Sequence, residues 1–426
     1  MTVKIGLVGT GTVGGGCLEI LANHAEDFRV DYGVDIQLAG VCSRKPDKAR
    51  EYGVEHLFTT DYRDLVNNPD IDVIIELIGG TGIAVDVIKE SMAAGKHVVT
   101  ANKAVMATRG EEMFALCRKH GVQLFFGASV GGGIPIIGPM RHSLIANKVS
   151  KIMGIVNGTT NFMLTRMNAD GLSYEAALKE AQDLGYAEAD PTADVDGFDA
   201  AAKIAILASL AFHTEVRMDD VYTEGIRHLA PFDFALAHDM GYAVKLVAHA
   251  NLVDDGVFVR VHPTMLPLDH QMASVNGVFN AIYVVGDSVG QTMFFGEGAG
   301  AGPAASAVMG DVVELARRLG MGIPCIAGSP VKRDLSIVDM DELETKYYIR
   351  FQCADVPGSL AACAAEFAKA GVSVKSVSGS TKRGDVDLVF VTHTAKEADI
   401  RTAIKGCLAL DGMVIGGFPV VIRVEE

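Results

Sequence analysis

Apolar positions in the first third of the chain fall into two alternating textures. Residues 3–8 form a short apolar run ending in glycines, and residues 13–21 carry apolar side chains at helical spacing. The alternation continues, with strands expected at 35–42, 72–78, 97–100 and 122–128 and helices at 84–94 and 109–120. Short apolar runs bounded by turn residues suit strands buried on both faces, and strand alternating with helix predicts a parallel sheet covered on both sides. Residues 1–130 are therefore expected to form a doubly wound α/β domain, completed by an amphipathic helix at 304–320.

After Gly131-Gly132-Gly133-Ile134-Pro135 the texture changes. Strands are expected at 151–156, 257–262 and 281–285, and helices at 160–167, 173–184, 199–211 and 234–250. This middle region, 131–303, reads as an α+β domain with helices on one side of a sheet. A polar stretch broken by Pro330 makes 321–345 a linker. From 346 a new pattern starts: strand 346–353, helix 359–370, strands 372–378 and 386–392, helix 398–408 and strand 420–424. That βαββαβ order predicts a ferredoxin-like module of roughly eighty residues.

Composition narrows the function classes. With 37 basic and 53 acidic residues the formal net charge is −16. An acidic chain without a basic run is a poor partner for nucleic acid or an anionic membrane surface. The apolar stretches carry glycine or charge before reaching membrane-spanning length. The seven cysteines (Cys17, Cys42, Cys117, Cys325, Cys353, Cys363 and Cys407) are dispersed, with no Cys-x-x-Cys pair. They read as reduced core thiols of a cytoplasmic protein. Met1 runs directly into a strand, so no leader peptide is expected.

The candidate chemistry begins at Gly9-Thr10-Gly11-Thr12-Val13-Gly14, a G-x-G-x-x-G placed after a strand and before a helix. That context is what a Rossmann-type dinucleotide fingerprint requires. Gly9 permits the tight turn, Gly11 lets the backbone approach a pyrophosphate, and Gly14 allows close helix–sheet packing. The helix N-terminus supplies N–H groups and positive dipole to the phosphates. The second strand ends at Ser43-Arg44-Lys45, without the acidic residue that binds an NAD ribose. Arg44 or Lys45 could instead meet a 2′-phosphate, which favours NADP while leaving NAD open; the alternative is that both are solvated cations.

Two further segments place ionisable groups in unusual settings. Thr100-Ala101-Asn102-Lys103 lies at the C-terminal end of a parallel strand, where ligands bind in such sheets, although a surface lysine is equally in keeping with the spacing. Asp199 and Lys203 are four apart, and Ile204-Ala205-Ile206-Leu207-Ala208 follows. That places a lysine on one helix face with a carboxylate at the entry to a buried helix; the plain alternative is an i,i+4 pair worth a few tenths of a kcal/mol.

Taken together these segments resemble homoserine dehydrogenases. The resemblance is carried by the Gly9–Gly14 loop, Ile75-Glu76-Leu77-Ile78-Gly79-Gly80, Thr100–Lys103, Ala128-Ser129-Val130 with Gly132-Gly133-Ile134-Pro135, Gly158-Thr159-Thr160-Asn161, residues 184–203, and 298–303. It covers nearly all of 1–320 in the family's order. The tail is similar to an ACT domain through Asp355-x-Pro357-Gly358-x-Leu360. Such a resemblance implies interconversion of L-homoserine and L-aspartate 4-semialdehyde with a nicotinamide cofactor, by a homodimer or homotetramer. It implies that Lys203 is the general acid/base, with Lys103 and Asp199 at the reacting centre. Glu188, Asp199, Asp194, Gly158 and Thr159 would bind the substrate. Gly9, Gly11, Thr12, Val13, Gly14, Gly79, Thr100, Lys103, Gly185, Gly300 and Gly302 would hold the cofactor, with Arg44 and Lys45 beside it.

One position departs from the family's pattern. A glutamate commonly precedes the Ala-Ser-Val segment, in a loop that holds a monovalent cation through backbone carbonyls; here that position is Gly127. The carbonyls of Val130, Gly132 and Ile134 remain, but the loss of an anionic ligand weakens the case for sodium. The ACT-like module implies feedback by an amino acid, L-threonine first, or else a purely structural role. Two rival readings stay open on the residues alone: another two-domain NADP oxidoreductase of amino-acid metabolism, or a non-catalytic amino-acid sensor.

Overall fold

In the first sheet six parallel strands run β1 (Thr2–Val8), β2 (Asp35–Cys42), β3 (Phe58–Thr59), β4 (Val73–Glu76), β5 (His97–Thr100) and β6 (Leu124–Phe125). Their spatial order is β3-β2-β1-β4-β5-β6, with the order reversing at β1. This is the doubly wound arrangement expected from the alternating pattern, and its ligand crevice lies where the order reverses. The structure is a computed structural model that describes residues 2–254, 256–323, 333–382 and 385–425.

The chain divides into two compact units, one of 2–156, 202–220, 279–323 and 333–335, the other of 157–201, 221–278 and the described residues from 336 on. In the first unit, helix Thr12–Asp31 and helix Ala301–Gly320 cover one face of the β1–β6 sheet. Leu7, Val41, Ile75 and Val99 of the strands share one buried cluster with Ala305, Val308, Val312 and Leu315. The two helices cross closely because Gly16 has no side chain: a Cβ there would lie 2.8 Å from both Ala301 O and Ala305 Cβ. The same unit holds an antiparallel sheet of Val149–Ile155, Phe279–Gly286 and Gly290–Glu297.

The second unit contains a long hairpin of Tyr242–Val253 and Gly256–Pro267, paired along its whole length. Here the sequence expectation is corrected. A single helix was expected at 234–250, but the helix is Pro231–Asp239 and a strand begins at Tyr242. Gly241, at φ +87°, ends the helix and turns the chain. The following Val244-Lys245-Leu246-Val247-Ala248 is buried throughout and apolar except for Lys245, whose Nζ donates to Val275 O, and a nearly continuous apolar run does not distinguish a buried strand from a buried helix.

The C-terminal module has the expected βαββαβ order. Strands Val420–Val424, Glu344–Ala354, Asp385–Thr392 and Val374–Lys382 lie side by side and antiparallel, with helices Ser359–Lys369 and Glu397–Leu408. Phe351, Phe367, Phe390 and the thiols of Cys353, Cys363 and Cys407 fill its core. The linker expected at 321–345 lies partly outside the described residues, at 324–332. Its latter part is packed: Ser336–Ile337 pairs with Gly256 and Val257, and Met340 and Leu343 bury against Phe258. The six described cysteines are buried and free. Among the described residues no helix is long and apolar enough to cross a membrane.

Candidate active site

The glycine loop is built as its chemistry demands. Gly9 takes φ +104°, and a Cβ there would come within 2.7 Å of Leu77 C and O. A Cβ on Gly14 would strike Gly9 O, whereas Gly11 faces open space. No side chain caps the N-terminus of helix Thr12–Asp31, so its first N–H groups are left for an anion, as a pyrophosphate needs. Gly9 N–H donates to Cys42 O at 2.9 Å and Thr10 Oγ1 to Ser43 Oγ at 2.8 Å, tying the loop to the end of β2. Arg44 and Lys45 follow and are exposed.

A second network positions Lys103. Glu76 is fully buried; its Oε1 accepts the N–H of Ile78 at 2.8 Å and of Gly79 at 3.2 Å. Its Oε2 accepts Thr100 Oγ1 at 2.7 Å. Thr100 Oγ1 accepts Asn102 N–H, and Asn102 Nδ2 donates to Gly80 O at 2.8 Å. Asn102 Oδ1 caps helix Lys103–His120 through Val105 N–H. The strand ends of β4 and β5 are thereby locked together, with Lys103 at the helix start.

These elements enclose a cleft of about 350 Å³. It is lined by Thr12 and Val13 of the loop, Gly79 and Gly80, Lys103, Lys203 and Gly300, with Ser129 and Gly132. Lys203 is 8% exposed, and its Nζ donates to Val156 O at 2.6 Å. The first unit thus brings the glycine loop and both candidate lysines to one cleft. Arg44, Lys45 and Gly302 are not among its lining residues.

In the second unit the acidic candidates meet on Asn157. Its Nδ2 donates to Asp194 Oδ1 at 2.6 Å and to Asp199 Oδ2 at 2.9 Å. Its Oδ1 caps helix Gly158–Asp170 through Thr160 N–H at 2.8 Å. Thr159 Oγ1 donates to Tyr186 O at 2.6 Å, joining the helix start to the segment that carries Gly185 and Glu188. Gly185 takes φ +77°, and Glu188 is exposed. Helix Phe198–Phe212 carries Asp199 and Lys203 one turn apart. Two carboxylates sharing one amide form a cluster able to receive an ammonium group.

Comparison with known proteins decides the family. Residues 135–313 match the family model "Homoserine dehydrogenase", residues 9–127 "Homoserine dehydrogenase, NAD binding domain", and residues 347–407 "ACT domain". A homoserine dehydrogenase of Synechocystis is 43% identical, with 100% of each chain covered. The chain belongs to the homoserine dehydrogenase family. Its activity is therefore that of a homoserine dehydrogenase, an oxidoreductase of amino-acid biosynthesis that binds a nicotinamide dinucleotide. The crystal structure of a homoserine dehydrogenase from Thiobacillus denitrificans has TM-score 0.92 and 39% identity, covering 100% of this chain and 99% of that one. A hyperthermophilic archaeal homoserine dehydrogenase mutant solved with NADPH has TM-score 0.65 and 26% identity, covering 76% of this chain and 100% of that one.

In this homoserine dehydrogenase the position lacking the usual glutamate has a specific neighbour. Gly127 N–H donates to Asp311 Oδ2 at 2.7 Å, and a Cβ at 127 would lie 2.9 Å from both Asp311 carboxylate oxygens. Asp311 of helix Ala301–Gly320 occupies the space a side chain at 127 would need. Burial pushes its pKa up to about 7, against the opposing pull of Gly127 N–H and Arg141. No cluster of three or more His, Cys, Asp or Glu suited to a metal occurs among the described residues.

Sequence reasoning missed Asn157, the role of Glu76, and Asp311. Asn157 was findable, because Asn-Gly-Thr-Thr after a strand is an N-cap pattern. Replacing it should cost both the cap and the shared amide. We expect Asn157→Ala to lose about 1 kcal/mol of stability and to raise the KM for homoserine about tenfold. Thermal melting and initial rates check this, and an unchanged KM would refute the bridging role.

Proposed function

We propose that this enzyme interconverts L-homoserine and L-aspartate 4-semialdehyde with Lys203 as the proton-transferring group, and with NADP preferred over NAD. The observation that carries the reading is the cleft in which Thr12 and Val13 of the glycine loop, Lys103 and Lys203 lie together. The bound nicotinamide supplies or takes the hydride. Lys203 takes the hydroxyl proton as homoserine is oxidised and returns it in the reverse direction. Lys103, as a second ammonium, steadies negative charge on the same oxygen. Asp199, Asp194 and Glu188 receive the substrate ammonium, with Gly158 and Thr159 beside them at a helix start. Gly9, Gly11, Gly14, Gly79, Thr100, Gly185, Gly300 and Gly302 serve the cofactor by backbone approach or close packing.

The NADP preference rests on Arg44 and Lys45, exposed just past the Ser43 that Thr10 holds beside the loop. A guanidinium suits a 2′-phosphate. Initial rates with each cofactor test it. Arg44→Ala should raise the KM for NADP⁺ about tenfold and leave that for NAD⁺ unchanged; equal effects on both would overturn the preference.

The carbonyls of Val130, Gly132 and Ile134 persist, yet Asp311, the carboxylate beside position 127, is buried and already holds Gly127 N–H. A bound monovalent cation is therefore not assigned a role. For the ACT domain we propose that L-threonine is the effector, received at the turn Pro357-Gly358 that opens helix Ser359–Lys369. Millimolar threonine should lower activity several-fold, which corresponds to a coupling of about 1–2 kcal/mol. Insensitivity would leave the module a structural one. Cytoplasmic location and a homodimer or homotetramer complete the reading.

A further inference from the structure

The segment from Val221 to Asp233 makes polar contacts in two directions. On one side it holds the short helix Thr192–Val195, which carries Asp194. Ile226 N–H donates to Val195 O at 2.9 Å. Arg227 grips Asp196 with two nitrogens, Nε on Oδ1 and Nη2 on Oδ2 at 3.0 Å, and Nη2 reaches Thr192 Oγ1 at 3.4 Å. A Cβ at Gly225 would strike Val195 O, so the two backbones are in close contact.

On the other side the same segment is held by the C-terminal module. Arg423, on strand Val420–Val424, is 3% exposed. It donates through Nη1 to Glu224 and through Nε and Nη2 to Glu397, at 3.1 and 2.5 Å for the latter pair. Tyr222 lies under the guanidinium, and its hydroxyl donates to Glu224 Oε2 at 3.0 Å. Arg350, on strand Glu344–Ala354, donates to both oxygens of the fully buried Asp233 at 2.7 and 3.0 Å, and to His228 O at 3.1 Å. Tyr348 OH adds a bond to Asp233 Oδ1 at 2.7 Å. The rings of His228 and Phe418 stack at 5.2 Å.

We propose that residues 222–233 form a strut through which the C-terminal module sets homoserine affinity, with Arg227 as the positioning residue at its substrate end. The proposal rests on the reading of Asp194 and Asp199 as substrate carboxylates. The reasoning is mechanical and electrostatic. Asp194 is fixed from within by Asn157, but the helix that carries it is held from outside by Arg227 and Ile226. A bidentate guanidinium–carboxylate pair fixes orientation as well as distance. Displacement of Glu224, His228 or Asp233 by the module is therefore passed to Thr192–Asp196 by bonded contacts. Such coupling changes the substrate's binding, and the cofactor loop lies on other segments of the chain.

The test uses the full-length enzyme. Arg227→Ala should raise the homoserine KM about tenfold, with kcat and the cofactor KM within about threefold of wild type. Arg227→Lys, which keeps the charge but loses the paired geometry, should fall between. At the far end Phe418→Ala, at a ring that is 76% exposed and therefore tolerant of truncation, should raise the homoserine KM about twofold to threefold by itself. Added to Arg227→Ala it should cause a smaller rise than it does alone, because only the Ile226 bond and the Gly225 contact then join the strut to Thr192–Val195. Three results overturn the proposal: an unchanged homoserine KM in Arg227→Ala, an equal shift in the cofactor KM, or multiplicative effects in the double variant. If wild type itself fails to oxidise homoserine, the substrate reading falls instead, so the two failures are told apart.

Discussion

Lys203→Ala should lose about 10²- to 10⁴-fold in turnover, the range that a positioned proton-transfer group contributes. Its affinity for NADPH should stay within about twofold of wild type, because the glycine loop is tied to Cys42 and Ser43 at the end of β2. The side chain is buried and its Nζ donates to Val156 O, so its place is set by the backbone of a strand end. Alanine suits the helix and replaces a charge in an otherwise apolar stretch, so the fold should persist. Lys203→Arg should not rescue activity, since a guanidinium stays protonated and cannot accept the hydroxyl proton. A stopped assay for semialdehyde alongside fluorescence titration with NADPH separates the two effects. Near-normal turnover in either variant would remove Lys203 from the proposed mechanism.

Asp311→Asn should stabilise the protein increasingly as pH rises from 5 to 7. The native pKa of Asp311 is raised from 3.8 to about 7. Between those values the folded state keeps a proton that the unfolded state has lost, so native stability falls with rising pH at about 1.4 kcal/mol per pH unit. Above about pH 7 the loss is complete and the curve flattens. Asparagine removes the titration while keeping an oxygen for Gly127 N–H. The difference between variant and wild type should therefore grow to a few kcal/mol by pH 8. Denaturant melts at pH 5, 6, 7 and 8 measure it, and a difference independent of pH would contradict the account. The charges that face Asp311 are Arg141 and, on its own helix, Glu314; their effects are opposed. The same position explains Gly127: a glutamate there would collide with Asp311.

Much of this was legible in the sequence because it is local. The glycine loop needs only a strand, a turn and a helix start, and all three are written within residues 2–31. The 184–203 stretch likewise carries its acids and its lysine within twenty positions. The strand Tyr242–Val253 was hidden because a buried strand in a long hairpin loses the alternation that marks a half-exposed one. The N-cap role of Asn157 is local, but its bridging role appears only when Asp194 and Asp199 arrive from 37 and 42 residues away. Arg423 and Glu224 lie 199 positions apart, and Gly127 and Asp311 lie 184 apart. Neither pair has a periodicity that could announce it. The contacts of the C-terminal module also bear on truncation. Cutting the chain after residue 341 would strip Asp233 and Glu224 of their arginines and take Leu343 from Phe258, so it should cost stability. A clean loss of regulation alone is therefore not expected from that deletion.

In the proposed mechanism, carboxylates held by Asn157 read the substrate ammonium while Lys203 serves its hydroxyl. The most direct test is the rate of NADP⁺ reduction with L-homoserine against that with 4-hydroxybutyrate, which keeps the alcohol and the carboxylate but lacks the ammonium. A site built to pair a polar group rejects the analogue that lacks it strongly, so kcat/KM for 4-hydroxybutyrate should be lower by about 10³-fold or more. Comparable values for the two alcohols would contradict the account.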